Sequence, residues 1–301
     1  MDNYLLTIFT PVYNRAHTIK RTYKSLCRQT CKDFEWLVVD DGSTDDIGQL
    51  VKGWIAEKII PIRYIYQENQ GMHGAHNTAY KNIHTELNTC IDSDDWMPDD
   101  AVEKIVAFWK KYGSSKVAGI MGLDFSKDGK LIGNKFPDNI LTISFSDMGK
   151  LKIYGDKKMV YRTDVVIKYP PYPIFKGERY VGLDWLYNLI DQDYQLLTLN
   201  ECLVIVDYQT DGSSMNMYRQ YWNNPRGFQF YRREHLMIAD NMKDRIKTCI
   251  HYVSSSVMLK DYEYIKKSPR KLLTVFCTIP GILLFLLIRY KVKHQQLMKI
   301  R

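Results

Sequence analysis

The sequence has no Cys-x-x-Cys pair, no basic N-terminal segment followed by a long apolar run, and no acidic residue after Glu263. Its six cysteines are scattered along the chain, so their spacing predicts no zinc site and is typical of a reducing compartment. The first apolar segment, YLLTIFT, has the length of a strand. The absence of a longer run there argues against a signal peptide.

The net charge of +8 comes from one end of the chain. Nine of the 42 Lys and Arg residues follow Glu263, which leaves 33 bases against 34 acids in the rest. The body of the protein is therefore near neutral, and its composition, 45% hydrophobic and 25% charged, is that of a globular protein. This distribution excludes a nucleic-acid-binding domain as the source of the basicity and indicates a basic tail.

Apolar segments of strand length alternate with amphipathic segments of helix length in the first half of the chain. The segments LLTIFT, EWLVVD, IRYIYQ and LNTCID are predicted strands, each followed by a predicted helix. Strands that alternate with helices predict an α/β fold with a mainly parallel, doubly wound sheet. Ligands of such sheets bind beyond the carboxyl ends of the strands.

Polar side chains follow several of these predicted strands. They are Asn14, Asp40, Asp41 and the cluster Asp92–Asp95. Because the carboxyl ends of parallel strands meet at one edge, we expect these groups to lie along one rim of the sheet.

The segment CIDSDDWMPDD concentrates acids where a strand ends. An EF-hand loop that began at Asp92 would need glycine at its sixth position, which is Met97 here. Asp99 and Asp100 are typical of a solvated helix start. Asp92 and Asp94 are two residues apart, so on extended backbone they point the same way and predict a Mg²⁺ or Mn²⁺ site. An aspartyl nucleophile for phosphate is the alternative interpretation.

Four segments, in order, resemble the motifs of the family 2 glycosyltransferases: FTPVYNR, VVDDGSTDD, NQGMHGAHN and IDSDD. The later segments IYGDKKMVYRTDV, FKGERYVGLDWLYNLID and VDYQTDGSSMN are similar to the branch of that family that makes bacterial polysaccharides. The resemblance implies a GT-A fold, which is a Rossmann-like, mainly parallel sheet flanked by helices. It also implies inverting transfer from a nucleotide-diphosphate sugar, most often a UDP-sugar.

The resemblance implies donor-binding roles by position in these motifs. Pro11, Tyr13 and Asp41 would line the base and ribose site, with Asp40 and Asn14 beside them. Asp94 would be the principal ligand of Mn²⁺ or Mg²⁺, and Asp92 would share the metal or reach ribose and sugar hydroxyls. Asp95 would assist them or support the fold.

His76 stands where many family members carry an arginine. A neutral histidine donates one hydrogen bond and cannot replace the arginine fork on a diphosphate. His76 is therefore either a donor-site residue or a polar residue packed within its own helix. Two roles are likewise possible for Lys157, Lys158 and Arg162. They either complement the charge of the diphosphate or are solvated residues at a strand edge.

An inverting transferase needs a carboxylate that removes the proton of the acceptor hydroxyl. The segment FKGERYVGLDW supplies two candidates. Glu178 follows a glycine in a predicted loop and is the first choice, whereas Asp184 lies within the next helix, near where many relatives carry their acid.

Residues 272–288 form the longest apolar run, LLTVFCTIPGILLFLLI. About 17 helical residues reach roughly 26 Å, which is short of a bilayer core of about 30 Å. Pro280 and Gly281 interrupt the run, and basic residues flank both ends. These features favour a C-terminal helical, membrane-associating extension at the cytoplasmic face over a span or a core helix.

We therefore expect a nucleotide-sugar-binding half over residues 1–110, an acceptor-binding half over 111–215 and a helical region over 216–301. The expected partners are the nucleotide sugar, a lipid-linked oligosaccharide of surface polysaccharide synthesis and inner-leaflet lipids. The alternatives are a non-catalytic sugar-nucleotide-binding protein and a nucleotidyltransferase. The latter would need a glycine-rich, arginine-containing loop that TPVYNRAHT does not provide.

Overall fold

The structure, a computed structural model, describes residues 4–208, 217–239 and 241–298. Its eight strands within these ranges form one sheet. The strands are β1 Leu6–Val12, β2 Phe34–Asp40, β3 Ile62–Tyr66, β4 Leu87–Cys90, β5 Val117–Ser126, β6 Thr142–Ile143, β7 Lys157–Arg162 and β8 Gln195–Val206.

Helices follow most of the strands and then form the C-terminal part of the chain. They are α1 Ile19–Cys27, α2 Ile47–Glu57, α3 Met72–Asn82, α4 Ala101–Tyr112, α5 Thr163–Val166, α6 Asp184–Ile190, α7 Met217–Asn223, α8 Pro225–Ile238, α9 Met242–Met258, α10 Tyr264–Lys267, α11 Lys271–Phe276 and α12 Thr278–Met298. A 3₁₀ helix covers Phe145–Met148.

The strand order is β3-β2-β1-β4-β7-β5-β8-β6. The pairs β1–β2, β2–β3, β1–β4 and β5–β8 are parallel, whereas β7 is antiparallel to both β4 and β5. The predicted α/β class with a mainly parallel sheet is confirmed. In the register, Val12 pairs with Asp40 and Asp40 with Tyr66, so the carboxyl ends of three strands are level.

The interior of the sheet explains why the early elements form where the pattern predicts them. All seven residues of β1 are buried, as expected for a parallel strand covered on both faces. Helix α1 buries Ile19 and Leu26 on one side. Beside them, Tyr23 stacks on Trp54 with ring centroids 4.3 Å apart. The parallel direction of β1, β2 and β3 then places their carboxyl ends at one edge of the sheet.

The chain divides into two compact units. The first consists of Met1–Pro171 and Leu186–Gln209, and it contains the sheet. The second consists of Tyr172–Trp185 and Thr210–Arg301. The DGSSMN segment at residues 211–216 lies outside the described residues.

The second unit is helical and has its own core. Leu236, Cys249, Tyr252, Val253 and Cys277 are buried together. The predicted apolar run forms two helices, α11 and α12, that break at Cys277. Among the helices that the structure describes, none combines the length and the apolar character that crossing a membrane requires.

Candidate functional site

Three carboxylates lie together directly after β4. One oxygen each of Asp92, Asp94 and Asp95 lies within 4.8 Å of the others. Asp92 and Asp94 are half-buried, and Asp95 is buried. Like charges at this separation repel one another unless a cation lies among them. The cluster therefore has the donor set and the spacing of a divalent-cation site.

The backbone of the acidic loop is held from two directions within the first unit. The guanidinium of Arg21 lies 4.2 Å from the ring of Trp96 and donates to the carbonyl oxygen of Asp94 at 2.6 Å. The backbone N–H of Asp207 donates to the Asp95 carboxylate at 3.1 Å. Asp95 thus has a contact that supports the fold. These bonds do not use the carboxylates of Asp92 and Asp94.

A half-buried lysine reaches the acids from β7. The Nζ of Lys158 donates to the Cys90 carbonyl at 2.9 Å, two residues before Asp92. Burial alone would lower the pKa of Lys158, but the carboxylates of Asp124 and Asp92 raise it above its ordinary value. A permanent positive charge is therefore built into the acidic cluster.

The other two bases of this segment have different neighbours. Lys157 donates to the backbone carbonyls of Tyr154 and Gly155, and Arg162 donates to the Val117 carbonyl and pairs with Asp164. The structure therefore brings only Lys158 of these three bases near the rim acids, among the contacts it describes.

Burial changes the protonation of the cluster. It raises the pKa of Asp95 to about 7, with a further contribution from Asp92. Burial, followed by repulsion from Asp92, also raises the pKa of Asp94. Removing water from a carboxylate disfavours its charged form, and a neighbouring negative charge adds to that cost. A bound divalent cation would relieve both effects.

Asp124 is a site residue that the sequence patterns did not single out. It lies on β5 and is only 4% exposed, and its Oδ1 has no hydrogen-bond partner among the described residues. Burial raises the pKa of Asp124 to about 6, although the charge of Lys158 opposes the rise. A single acid inside the apolar segment VAGIMGLDF is the signal that could have indicated it.

The end of β1 and the loop after it carry three of the predicted donor-site residues. Pro11 is buried within β1, and Tyr13 is half-exposed directly after it. Asn14 has a left-handed backbone with φ of 53°, which asparagine tolerates better than most residues. Its Oδ1 accepts from the N–H of Thr44 at 2.7 Å, so the loops after β1 and β2 are joined.

The two aspartates after β2 are buried and bonded within the protein. Asp40 accepts from the hydroxyl of Tyr64 at 2.5 Å. Asp41 accepts from the N–H of Gln70 and of Gly71, each at 2.8 Å. Asp41 therefore fixes the end of the loop that joins β3 to α3.

His76 is fully buried in α3. Its ring lies 5.0 Å from that of Phe9 in an edge arrangement, and its Nδ1 is 3.2 Å from the Tyr80 hydroxyl. Burial, together with smaller contributions from His73 and Lys158, lowers the pKa of His76 to about 3, so the imidazole is neutral. These contacts correspond to the packing alternative, and a donor contact for His76 stays a prediction.

The two candidate bases have different surroundings within the second unit. Glu178 is 7% exposed, and its oxygens accept from the N–H of Arg226 at 3.0 Å and of Gly227 at 2.8 Å, in the first turn of α8. Asp184 is half-buried and accepts from the Tyr231 hydroxyl at 2.5 Å. Burial and the charge of Asp184 raise the pKa of Tyr231, which keeps its proton. Glu178 therefore accepts hydrogen bonds from backbone N–H groups in the first turn of α8 that have no helical partner. Asp184 can still accept further hydrogen bonds.

Comparison with known families agrees with this arrangement. The model of glycosyl transferase family 2 matches residues 7–169, more than half of the chain. The chain belongs to glycosyl transferase family 2. The match covers every strand from β1 to β7 and the acidic loop that follows β4.

Individual relatives within glycosyl transferase family 2 cover different lengths. Glycosyltransferase GlyA of Streptococcus pneumoniae is 40% identical over 100 residues, 33% of this chain and 14% of that protein. Chondroitin synthase of Escherichia coli is 33% identical over 132 residues, 44% of this chain and 19% of that protein. The chain thus spans less than a fifth of these two relatives. The GalNAc(5)-diNAcBac-PP-undecaprenol beta-1,3-glucosyltransferase of Campylobacter jejuni is 25% identical over 293 residues, 94% of this chain and 92% of that protein.

Solved structures share the fold. TarS 1-349 of S. aureus in complex with UDP-GlcNAc has a TM-score of 0.59 at 15% identity, covering 96% of this chain and 92% of that one. The mannosyltransferase PcManGT of Pyrobaculum calidifontis, in complex with GDP-Man and Mn²⁺, has a TM-score of 0.55 at 15% identity, covering 94% and 87%. The fold of this family 2 enzyme is GT-A, as the motifs predicted.

Proposed function

We propose that this protein is an inverting glycosyltransferase that moves a sugar from a nucleotide-diphosphate donor, a UDP-sugar by preference, to a hydroxyl of a lipid-linked glycan. The observation that carries the proposal is the carboxylate cluster of Asp92, Asp94 and Asp95 at the rim of a family 2 sheet. Neighbours of the same fold bind UDP-GlcNAc and GDP-Man, which supports a nucleotide-sugar donor.

We assign the donor site to the rim of the first unit. Base and ribose would lie against Pro11, Tyr13 and Asp41. Beside them, Asn14 joins the loops after β1 and β2, and Asp40 accepts from the N–H of Ser43. His76 would contribute from the buried face of α3. The nucleotide half over residues 1–110 and the acceptor half over 111–215 remain our proposed division.

The acidic cluster fits Mn²⁺ or Mg²⁺. Asp94 and Asp92 present carboxylate oxygens, the ligands these ions prefer, and the unpartnered Oδ1 of Asp124 adds buried negative charge nearby. A bound ion would neutralise charge on the departing diphosphate. Lys158 balances part of the acidic charge when the diphosphate is absent.

Asp184 is the preferred base. In the proposed step the acceptor oxygen bonds to the anomeric carbon from the face opposite the nucleotide, and the bond to the diphosphate breaks with its electron pair. The hydroxyl proton passes to a carboxylate. Both oxygens of Glu178 accept backbone N–H groups, whereas Asp184 has one described partner, Tyr231. Glu178 remains the second candidate.

The acceptor and the location are inferred from the C-terminal region and one relative. The Campylobacter relative, which matches nearly the whole chain, is named for a PP-undecaprenol-linked substrate. Helices α11 and α12 expose a row of large apolar side chains: Leu272 80%, Phe276 79%, Ile279 71% and Leu283 60%. A surface of this kind next to basic residues suits attachment to the cytoplasmic face of the membrane, in surface polysaccharide synthesis.

The test is a donor panel. Purified protein with Mn²⁺ is incubated with UDP- and GDP-sugars, and donor hydrolysis and thermal stabilisation are measured. Asp94→Asn is expected to lower turnover at least about 100-fold and to remove the metal dependence. Asp99→Asn, an exposed acid of the same loop that pairs with Arg28, is the control and should match the unchanged protein. Full activity of Asp94→Asn would contradict the proposal.

The same panel separates the alternatives. A non-catalytic binder would be stabilised by a donor without releasing nucleotide, and a nucleotidyltransferase would release pyrophosphate from a nucleoside triphosphate.

A further inference from the structure

A cavity of about 400 Å³ in the second unit combines cations with apolar side chains. Its lining includes Met242, Arg245, Arg270, Lys271, Leu272 and Leu273. The volume is within the range of small-ligand sites. Neither the acidic cluster nor the candidate bases contribute to this cavity.

Two arginines of the cavity are held in place by backbone oxygens. The Nε of Arg245 donates to the Ala239 carbonyl, and the Nε of Arg270 donates to the Leu236 carbonyl, each at 2.7 Å. Both carbonyls belong to the C-terminal end of α8, where backbone oxygens lack helical partners. Each guanidinium is oriented by its Nε–H group, and its two Nη groups have no acceptor within residues 4–208, 217–239 and 241–298.

The cations of this cavity are not neutralised by the described residues. Over residues 4–208, 217–239 and 241–298, no carboxylate lies within ion-pair distance of Arg245, Arg270 or Lys271. A second cavity of the same unit differs, because its Lys267 pairs with Asp261 at 2.8 Å. Three positive charges without an acidic partner among the described residues favour a ligand that carries negative charge.

The cavity is continuous with the exposed apolar surface. Leu272 lines the cavity and begins the row that continues through Phe276, Ile279 and Leu283. The opposite side of these helices packs on α9, where a Cβ on Gly281 would come 2.5 Å from the Val253 side chain. The apolar row therefore faces away from the core, and the cations lie at its edge.

We propose that the cavity binds the phosphate of an anionic phospholipid headgroup while the apolar row contacts the acyl region. This inference rests on the membrane attachment in the proposed function. Guanidinium groups bind phosphate oxygens through paired N–H donors, and Lys271 adds charge. Cations at the edge of an apolar surface match the depth at which lipid phosphates lie. Free phosphate has the same kind of charge, but it has no acyl chain that could contact the apolar row.

The experiment measures co-sedimentation of the full chain with vesicles of phosphatidylcholine alone or with phosphatidylglycerol added. We expect the unchanged protein to prefer the anionic vesicles. Arg245→Gln with Lys271→Gln should lose about fivefold in affinity for each charge removed, in anionic vesicles only. Lys243→Gln removes an exposed cation of the same helix turn that does not line the cavity, and it should lose clearly less.

High salt distinguishes a site from diffuse attraction. At about 1 M salt, where charges are screened within about 3 Å, the unchanged protein should keep part of its preference and the double variant should not. Equal losses in Lys243→Gln and the double variant would overturn the site. Competition by millimolar inorganic phosphate would overturn the lipid as its ligand and assign the cavity to free phosphate. Should the unchanged protein bind neither kind of vesicle, the membrane attachment itself would be wrong.

A second variant guards against misfolding. Lys271→Gln alone removes an exposed side chain and should retain donor hydrolysis and the unfolding midpoint of the unchanged protein. Phe276→Ser with Leu283→Ser should weaken binding to both kinds of vesicle, because it removes apolar contact rather than charge.

Discussion

The two units depart from the usual distribution of side chains in opposite ways. The first unit buries charge: Asp95 in the loop after β4 and Asp124 on β5 are buried, and Lys158 on β7 is half-buried beside them. The second unit exposes hydrocarbon along α11 and α12, where Leu272 and Phe276 are about four-fifths accessible. Buried polar groups and exposed apolar rows are the informative exceptions in a globular protein. A buried charge costs free energy unless an opposite charge offsets it, and an exposed apolar row costs free energy unless another apolar surface covers it.

The difference indicates which kind of partner each unit binds. Buried carboxylates with raised pKa values are completed by a cation, since a positive charge offsets their repulsion. An exposed apolar row is completed by another apolar phase. The chemistry of transfer and the attachment of the enzyme would therefore be separable by mutation.

The largest expected effect is that of a mutation at Asp184 in the second unit. If Asp184 is the base, the second unit takes part in the chemistry as well as in attachment. Asp184→Asn is expected to lower kcat by about 10²–10⁴-fold with little change in donor affinity, since a general base acts on the acceptor. Steady-state kinetics together with donor titration checks the split.

Glu178→Gln is the matched comparison for Asp184→Asn. It should lower the free energy of unfolding by about 1 kcal/mol, because the first turn of α8 loses charged acceptors, while kcat changes less than about tenfold. The reverse pattern, with turnover lost in Glu178→Gln and kept in Asp184→Asn, would exchange the two roles.

The buried charge of the first unit can be tested through Lys158. Lys158→Met should lower the free energy of unfolding of the metal-free protein by about 2 kcal/mol, because the Cys90 carbonyl loses a charged donor and Asp124 and Asp92 lose a neighbouring positive charge. Urea unfolding measures the change. Adding Asp124→Asn should recover part of the loss.

Lys116→Met is the control for Lys158→Met because Lys116 is exposed. It should change the free energy of unfolding by no more than about 0.5 kcal/mol. A similar small effect for Lys158→Met would mean that the acids are not compensated by this lysine.

The smallest expected effect is the pH dependence of Asp95. Its folded pKa of about 7 lies above the ordinary value of 3.8, so the folded protein holds more protons between these values. The contribution of Asp95 to stability is therefore largest at low pH and is lost as pH rises through about 7. We expect on the order of 1 kcal/mol, because neighbouring acids share the proton.

Metal-free protein and Asp95→Asn are compared by unfolding in chelator from pH 4 to pH 8. The stability of the unchanged protein relative to the variant should fall across this range. Parallel curves would show that Asp95 is ionised throughout.

The sequence predicted the elements of the first hundred residues because local patterns determine them there. The run LLTIFT before Pro11 is mostly apolar and β1 is buried throughout, which is typical of a buried parallel strand. The run that ends at Cys90 also buries two polar residues, Asn88 and Thr89. The motifs after the strands then placed Asp40, Asp41 and the acidic loop at one edge.

The local sequence could not predict the roles of Lys158, Asp124 and Glu178, because their contacts lie far away in the sequence. Lys158 reaches Cys90 only because β7 inserts antiparallel between β4 and β5, a pairing across about 70 residues. The partners of Glu178 lie 48 and 49 residues later, at the start of α8. Sequence spacing suggested a loop base for Glu178, whereas tertiary contact gives it two backbone N–H groups.

The contacts that hold the acidic loop have a consequence for how the chain acquires its activity during synthesis. Arg21 bonds to Asp207, 186 positions later, and Trp96 pairs with Ile205. A nascent chain that stops near residue 110 would contain all the rim aspartates but lack these braces. We expect such a fragment to bind nucleotide poorly, so competence would arise only after β8 has left the ribosome.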